Sequence, residues 1–164
     1  GHPSLLGLLS GVVTGLVAVT PAAGFAGPMG AIALGLVAGV ACFLFVAYAK
    51  NAFRLDDSLD VFGIHGVGGV IGALGTGILV NPALGGAGIP DYLTEPGSLL
   101  VADYSFATAF MAQVWAVGFT IVFVGIGSFI LFKAVDLVMG LRVPEETERE
   151  GLDVAEHGER AYNM

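Results

Sequence analysis

Three long stretches of this chain carry no charge at all. From Gly1 to Ala49, from Val61 to Pro90 and from Tyr104 to Phe132 there is no Asp, Glu, Lys or Arg. Apolar stretches well beyond ~18 residues mark membrane-spanning helices rather than a buried soluble core. The whole 164-residue chain has only 12% charged residues, against about 25% in an ordinary soluble domain. A soluble enzyme is excluded on these grounds. The formal charge of −8 excludes a nucleic-acid binder, which needs a basic footprint.

Breakers divide the apolar stretches into four expected spans, at about 4–20, 28–50, 60–80 and 104–139. Pro21 stops the first, because proline removes a helix hydrogen bond and clashes with the preceding turn. Pro28 suits the first turn of the second. Asp60 is the expected N-cap of the third, which ends at Asn81-Pro82. Residues 82–103 form the longest connection. The fourth span is overlong: at ~1.5 Å per residue it approaches ~50 Å against a ~30 Å hydrocarbon core. It must tilt, bend near Gly118, Gly125 or Gly127, or project from the bilayer.

All 6 basic residues fall on one side of this arrangement. Lys50 and Arg54 lie between spans two and three, and Lys133, Arg142, Arg149 and Arg160 at or beyond the end of span four. The positive-inside rule makes that side the cytoplasm, so both chain ends are expected there. Residues 1–140 form the membrane region and 141–164 a cytoplasmic tail. In that tail Pro144, Glu145 and Glu146 suit the start of a short helix that Gly151 ends.

His65 is the residue in the spans most apt for chemistry. An ionisable side chain in a membrane helix is costly and usually faces a bundle interior or a wet path. Histidine also titrates near neutral pH. The competing reading is a buried, neutral histidine hydrogen-bonded for packing. Asp56, Asp57 and Asp60 could attract a cation, although capping alone explains them. Ser10, Thr14 and Thr20 could hydrogen-bond a substrate, but such hydroxyls commonly satisfy the preceding turn. Glycines four apart (Gly7, Gly11 and Gly15; Gly35 and Gly39; Gly68 and Gly72) are read as helix-packing stripes. Cys42 packs as a small hydrophobe. No Cys/His/Asp cluster has metal-ligand spacing, since His2 and His157 fall on other segments, and no cofactor is implied.

The run from Asp56 to Gly69, Asp-Asp-Ser-Leu-Asp-Val-Phe-Gly-Ile-His-Gly-Val-Gly-Gly, closely resembles the signature of the ammonium transporter family, the ammonia channels related to Rhesus proteins. Thr20-Pro21-Ala22-Ala23-Gly24-Phe25-Ala26-Gly27-Pro28 resembles its helix-connecting turn. The segment Gly140 to Glu146, continuing through Glu150-Gly151-Leu152-Asp153, His157-Gly158-Glu159 and Ala161-Tyr162-Asn163, resembles the cytoplasmic tail of its bacterial and archaeal branch. The resemblance implies an all-α membrane protein, the C-terminal part of an eleven-span fold built from two inverted five-helix halves plus a long tilted helix. It implies a homotrimer in a lipid bilayer. The chain start at Gly1, without a charged leader, then reads as a fragment lacking its N-terminal portion.

The same resemblance makes His65 one of two pore histidines, whose partner belongs to the unmatched half. Val61, Asp60, Asp57, Ser10 and Thr20 are the further candidates along a path for ammonium or ammonia. Arg142, Glu150, Gly151 and Asp153 are the candidate regulatory residues of the tail, near where a PII-type signalling protein docks in many relatives. No covalent bond is made in such transport, so no enzyme is expected. Two alternatives remain at this point. One is a proton-coupled transporter of another small substrate, using His65 as a relay; the other is a non-conducting sensor or assembly subunit.

Overall fold

The computed structural model describes residues 4–91 and 101–160. His2, the 92–100 part of the long connection and the Ala161-Tyr162-Asn163 motif lie outside the described residues. The elements are almost entirely helical. Helix α1 is Leu5–Val19, α2 is Pro28–Ala52, α3 is Phe62–Leu79 and α4 is Phe106–Val138; two short helices follow, α5 (Glu145–Glu150) and α6 (Leu152–Ala155). Helices α2, α3 and α4, with 25, 18 and 33 residues, are long and apolar enough to cross a membrane, and α1 is a shorter apolar helix of 15.

Local chemistry sets most of these ends. Ser4 caps α1, its Oγ accepting from the Gly7 N–H at 3.1 Å. Pro28 occupies the first turn of α2, where its missing N–H costs nothing. Asn81 ends the α3 segment and caps a single 3₁₀ turn, its Oδ1 accepting from the Ala83 N–H at 2.9 Å. Within the long connection, the two-residue strands Ile89–Pro90 and Val101–Ala102 pair antiparallel, an element without a sequence signal.

The chain divides into two compact units, Gly1–Phe119 and Thr120–Met164, with the boundary inside α4. In the first unit α1, α2 and α3 pack against one another. Their core is built from small residues: Ala18, Ala22 and Ala38 are buried with Leu34, and Ile71 and Leu79 pack on them. The buried hydroxyls in this packing are satisfied by the preceding turn. Thr14 donates to the Ser10 carbonyl at 2.8 Å and Thr76 to the Gly72 carbonyl at 2.9 Å.

The glycine stripes separate here into two kinds. A Cβ on Gly72 would run into the Ala18 carbonyl oxygen and the Pro21 ring, so only glycine permits this approach of α3 to α1. Gly68 likewise faces Cys42 and Val17. Around Gly11, Gly15, Gly35 and Gly39, in contrast, a Cβ would meet nothing within 4 Å. The same four-residue spacing therefore serves close packing on α3 but borders open space on α1 and α2.

The connections sort by end of the bundle. The Ala87 N–H donates to the Phe25 carbonyl at 2.9 Å, and Gly27 abuts the backbone of Gly85, so the turn 21–27 and the start of the long connection sit together. These are the two connections that hold neither Lys nor Arg. The Lys50 to Asp60 loop joins the opposite ends of α2 and α3. Helix α4 starts against α3: the Tyr104 hydroxyl donates to the Gly77 carbonyl at 2.9 Å, and Gly77 lies against the backbone at Ala109 and Phe110.

In the second unit the rest of α4 continues unbroken to Val138, and α5 and α6 pack on each other. Along α4 only Ala109 is buried, while Trp115, Phe123 and Leu131 are each about two-thirds or more exposed. Apolar side chains on that scale suit lipid or protein neighbours, not water.

Candidate functional site

The start of α3 concentrates the polar chemistry. His65 sits in a π-helical turn, Phe62–Val67, that opens the helix. Its side chain is exposed and makes no hydrogen bond among the described residues. Packing within this chain therefore gives the imidazole no work. Val61, one turn earlier, is also exposed.

The acidic cluster before it divides its labour differently from expectation. Asp60 does not cap α3 with its side chain; the Asp57 carboxylate does, accepting from the Gly63 N–H at 3.2 Å. Asp60 instead turns to Lys50, and the two form an ion pair. The cause is the backbone. Asp60 has φ +58°, a left-handed conformation that Asp tolerates and most other residues avoid.

A groove of about 320 Å³ brings other candidates together. It is lined by Ser10 and Thr14 of α1, Cys42 and Val46 of α2, and Asp60 and Ile64 of α3, among others. Ser10 and Asp60 thus share one groove, and His65 does not line it. Thr20 lies at the other end of α1, where its hydroxyl donates to the Leu16 carbonyl at 2.7 Å. Among the described residues, no group of His, Cys, Asp or Glu side chains could hold a metal ion.

The tail candidates cluster around a short turn. Arg142 forks onto Glu148, with Nε to Oε1 at 2.8 Å and Nη2 to Oε2 at 3.2 Å. Arg149 pairs with Glu145 one turn earlier in α5. Gly151 ends α5 with φ +105°, and a Cβ there would lie 2.7 Å from Asp153 Oδ1. Glu150, beside it, is exposed.

Two partners escaped the sequence reading. Lys50 figured there only as an orientation marker, although an opposite charge ten residues from Asp60 in so uncharged a chain was the available signal. Glu148 was one glutamate among several, and nothing local singled it out for Arg142. The hydrogen bonds of Arg142, and then its charge, hold the Glu148 carboxyl below the ordinary carboxylate range. A depressed folded-state pKa contributes order above the free carboxylate's pKa and loses it as pH falls through the folded value. The protection of the amides across residues 145–155, taken relative to their intrinsic exchange rate at each pH, is therefore expected to fall on acidification below the normal glutamate range. It should lose that pH response in Arg142→Gln; an unchanged response in the variant would remove the fork as its cause.

Comparison with known proteins decides the family. The profile described as Ammonium Transporter Family matches residues 1–162. The chain belongs to the ammonium transporter family. It is an all-α membrane protein of that fold, with the apolar helices already described. It is 41% identical over 160 residues to the ammonium transporter of Bacillus subtilis, covering 98% of this chain and 37% of that protein. It is 43% identical to the ammonium transporter of Aquifex aeolicus, covering 100% of this chain and 36% of the relative. The ammonium transporter Amt1 of Archaeoglobus fulgidus is 42% identical, with 99% and 38% covered. The chain thus spans little more than a third of the length of these family members.

Proposed function

We propose that the protein to which this chain contributes its last four spans and tail carries ammonium across a cell membrane, passing it as ammonia along a narrow apolar path beside His65. The observation that carries this reading is the exposed imidazole of His65, set in an apolar helix of an ammonium transporter family member and engaged by nothing else described in the chain. A bare ammonium ion in such a path is expensive, as any charge is away from water. Loss of its proton removes most of that cost. A neutral imidazole can then donate to or accept from ammonia and hand the proton onward.

The roles of the neighbouring residues follow from position. Asp57 places a carboxylate at the Lys50 end of α3, where a cation gathers or departs, while the charge of Asp60 is taken up by Lys50. Val61 contributes an apolar wall one turn from His65. Ser10, in the groove with Asp60, offers a hydroxyl at the Lys50 end of the path, short of His65, and Thr20 marks the opposite end of α1. The Lys50–Asp60 loop and the tail face the cytoplasm, as the positive-inside rule directs. The family resemblance further supports a second pore histidine, a homotrimer, and a PII-type signalling protein at the tail.

Uptake in cells that lack their own ammonium transport tests this. At acidic external pH ammonia is scarce, so growth on low ammonium and accumulation of labelled methylammonium report carriage by the protein. Both should exceed an empty-vector strain severalfold. Membrane-located protein without uptake above that control would refute the reading.

A further inference from the structure

The loop between α2 and α3 is closed by a pair of charges at its two ends. Lys50 Nζ donates to the Asp60 carboxylate and, at 2.9 Å, to the Asp57 carbonyl. The two side chains are only 19% and 25% exposed. Within the loop, Arg54 (φ +52°) and Asp60 (φ +58°) both hold left-handed backbone, which residues other than glycine adopt sparingly. Something must keep the loop in this shape, and Lys50 spans it from end to end.

Directly beyond the pair, two π-helical turns face each other. One is Phe45–Ala49 near the end of α2, and the other is Phe62–Val67, which holds His65. The Phe45 and Phe62 rings meet with centroids 5.7 Å apart. Gly63 leaves no slack, since a Cβ there would lie 2.7 Å from Val46 Cγ2 and 3.2 Å from Phe45 Cδ1. A π turn accommodates one extra residue per turn, so its loss rotates what lies beyond it by about 100° around the axis. The direction of the imidazole therefore depends on this pair of turns staying as they are.

We propose that the Lys50–Asp60 ion pair is a positioning device for His65, locking the start of α3 to the end of α2 so that the π turn aims the imidazole into the transport path. The inference rests on the path assignment made for His65. Lys50 acts through the backbone and does not touch the substrate. Without it, the Asp60 carboxylate is left half-buried and unpaired, a costly arrangement. The α3 start then relaxes and turns the imidazole away.

A double-mutant cycle in the assembled membrane protein tests this, with the ammonium-to-methylammonium transport ratio per assembled protein as the readout. Lys50→Gln should shift the ratio about threefold or more, as expected for residues coupled through a backbone shift. Lys50→Arg, which keeps the charge, should restore it. In a His65→Ala background, Lys50→Gln should have no further effect. A Lys50→Gln effect of equal size with and without His65, or one confined to the amount of assembled protein, would overturn the proposal. Where Lys50→Gln fails to assemble, the doubly neutral Lys50→Gln/Asp60→Asn leaves no unpaired charge, and Asn keeps the tolerance for positive φ. Failure of that variant as well makes the pair a folding element and also overturns the proposal. His65→Ala alone reads the path assignment separately, because it leaves the ion pair intact.

Discussion

Replacing His65 by alanine is expected to change what the assembled protein conducts and leave its assembly intact. The two halves of that expectation have separate physical grounds. The imidazole is exposed and takes part in no hydrogen bond among the described residues, so truncation removes no internal contact. Substitutions of that kind usually stay within about ±0.5 kcal/mol of the parent's stability. Along the path the situation is reversed. A hydrogen bond to the passing ammonia, worth about 1.5 kcal/mol where charge develops, corresponds to roughly tenfold in rate. The rate should therefore fall, or selectivity against methylammonium should move, by about that factor. His65→Asp or His65→Glu should retain part of the activity, because a carboxylate can also take and release a proton. Transport of both ions at the parent's rates by His65→Ala would remove the histidine from the path.

How far His65 could be read in advance shows where sequence reasoning reaches its limit. An ionisable group within a charge-free run announces itself by cost alone, without knowledge of any neighbour. The helices are legible for the same reason, since Pro28 and Gly151 act on their own backbone. What stayed hidden depends on partners distant in sequence. Three aspartates within five residues can all cap a helix, and the left-handed backbone at Asp60 leaves that task to Asp57. The two π turns differ from α-helix by a single hydrogen-bond register and have no compositional mark. Gly68 and Gly72 share their spacing with Gly11 and Gly15, yet only the α3 pair meets neighbouring helices. Spacing tells which residues share a face; it does not tell what the face meets.

Gly151→Asp is the second change from which a large effect is expected, and its grounds lie wholly within the tail. At φ +105° and ψ 125°, Gly151 lies where a side chain is strained whatever space surrounds it. Non-glycine residues forced into such regions cost about 1–3 kcal/mol. The new Cβ would also stand 2.7 Å from Asp153 Oδ1, and its carboxylate would add a negative charge beside Asp153 and Glu150. The turn between α5 and α6 should therefore open. The packing of α1, α2 and α3 is left unchanged, because α5 and α6 belong to the second unit and that packing to the first. If the tail couples neighbouring subunits, as the family resemblance supports, opening it lowers transport by severalfold with normal amounts of protein in the membrane. Mixed assemblies with parent subunits should then be impaired beyond the share of altered subunits. Gly151→Ala separates the causes: it carries the backbone strain without the charge, so an intermediate loss assigns part of the effect to each. Unchanged uptake in Gly151→Asp and in its mixed assemblies would reject coupling through this turn, because the strain at residue 151 cannot be relieved without moving it.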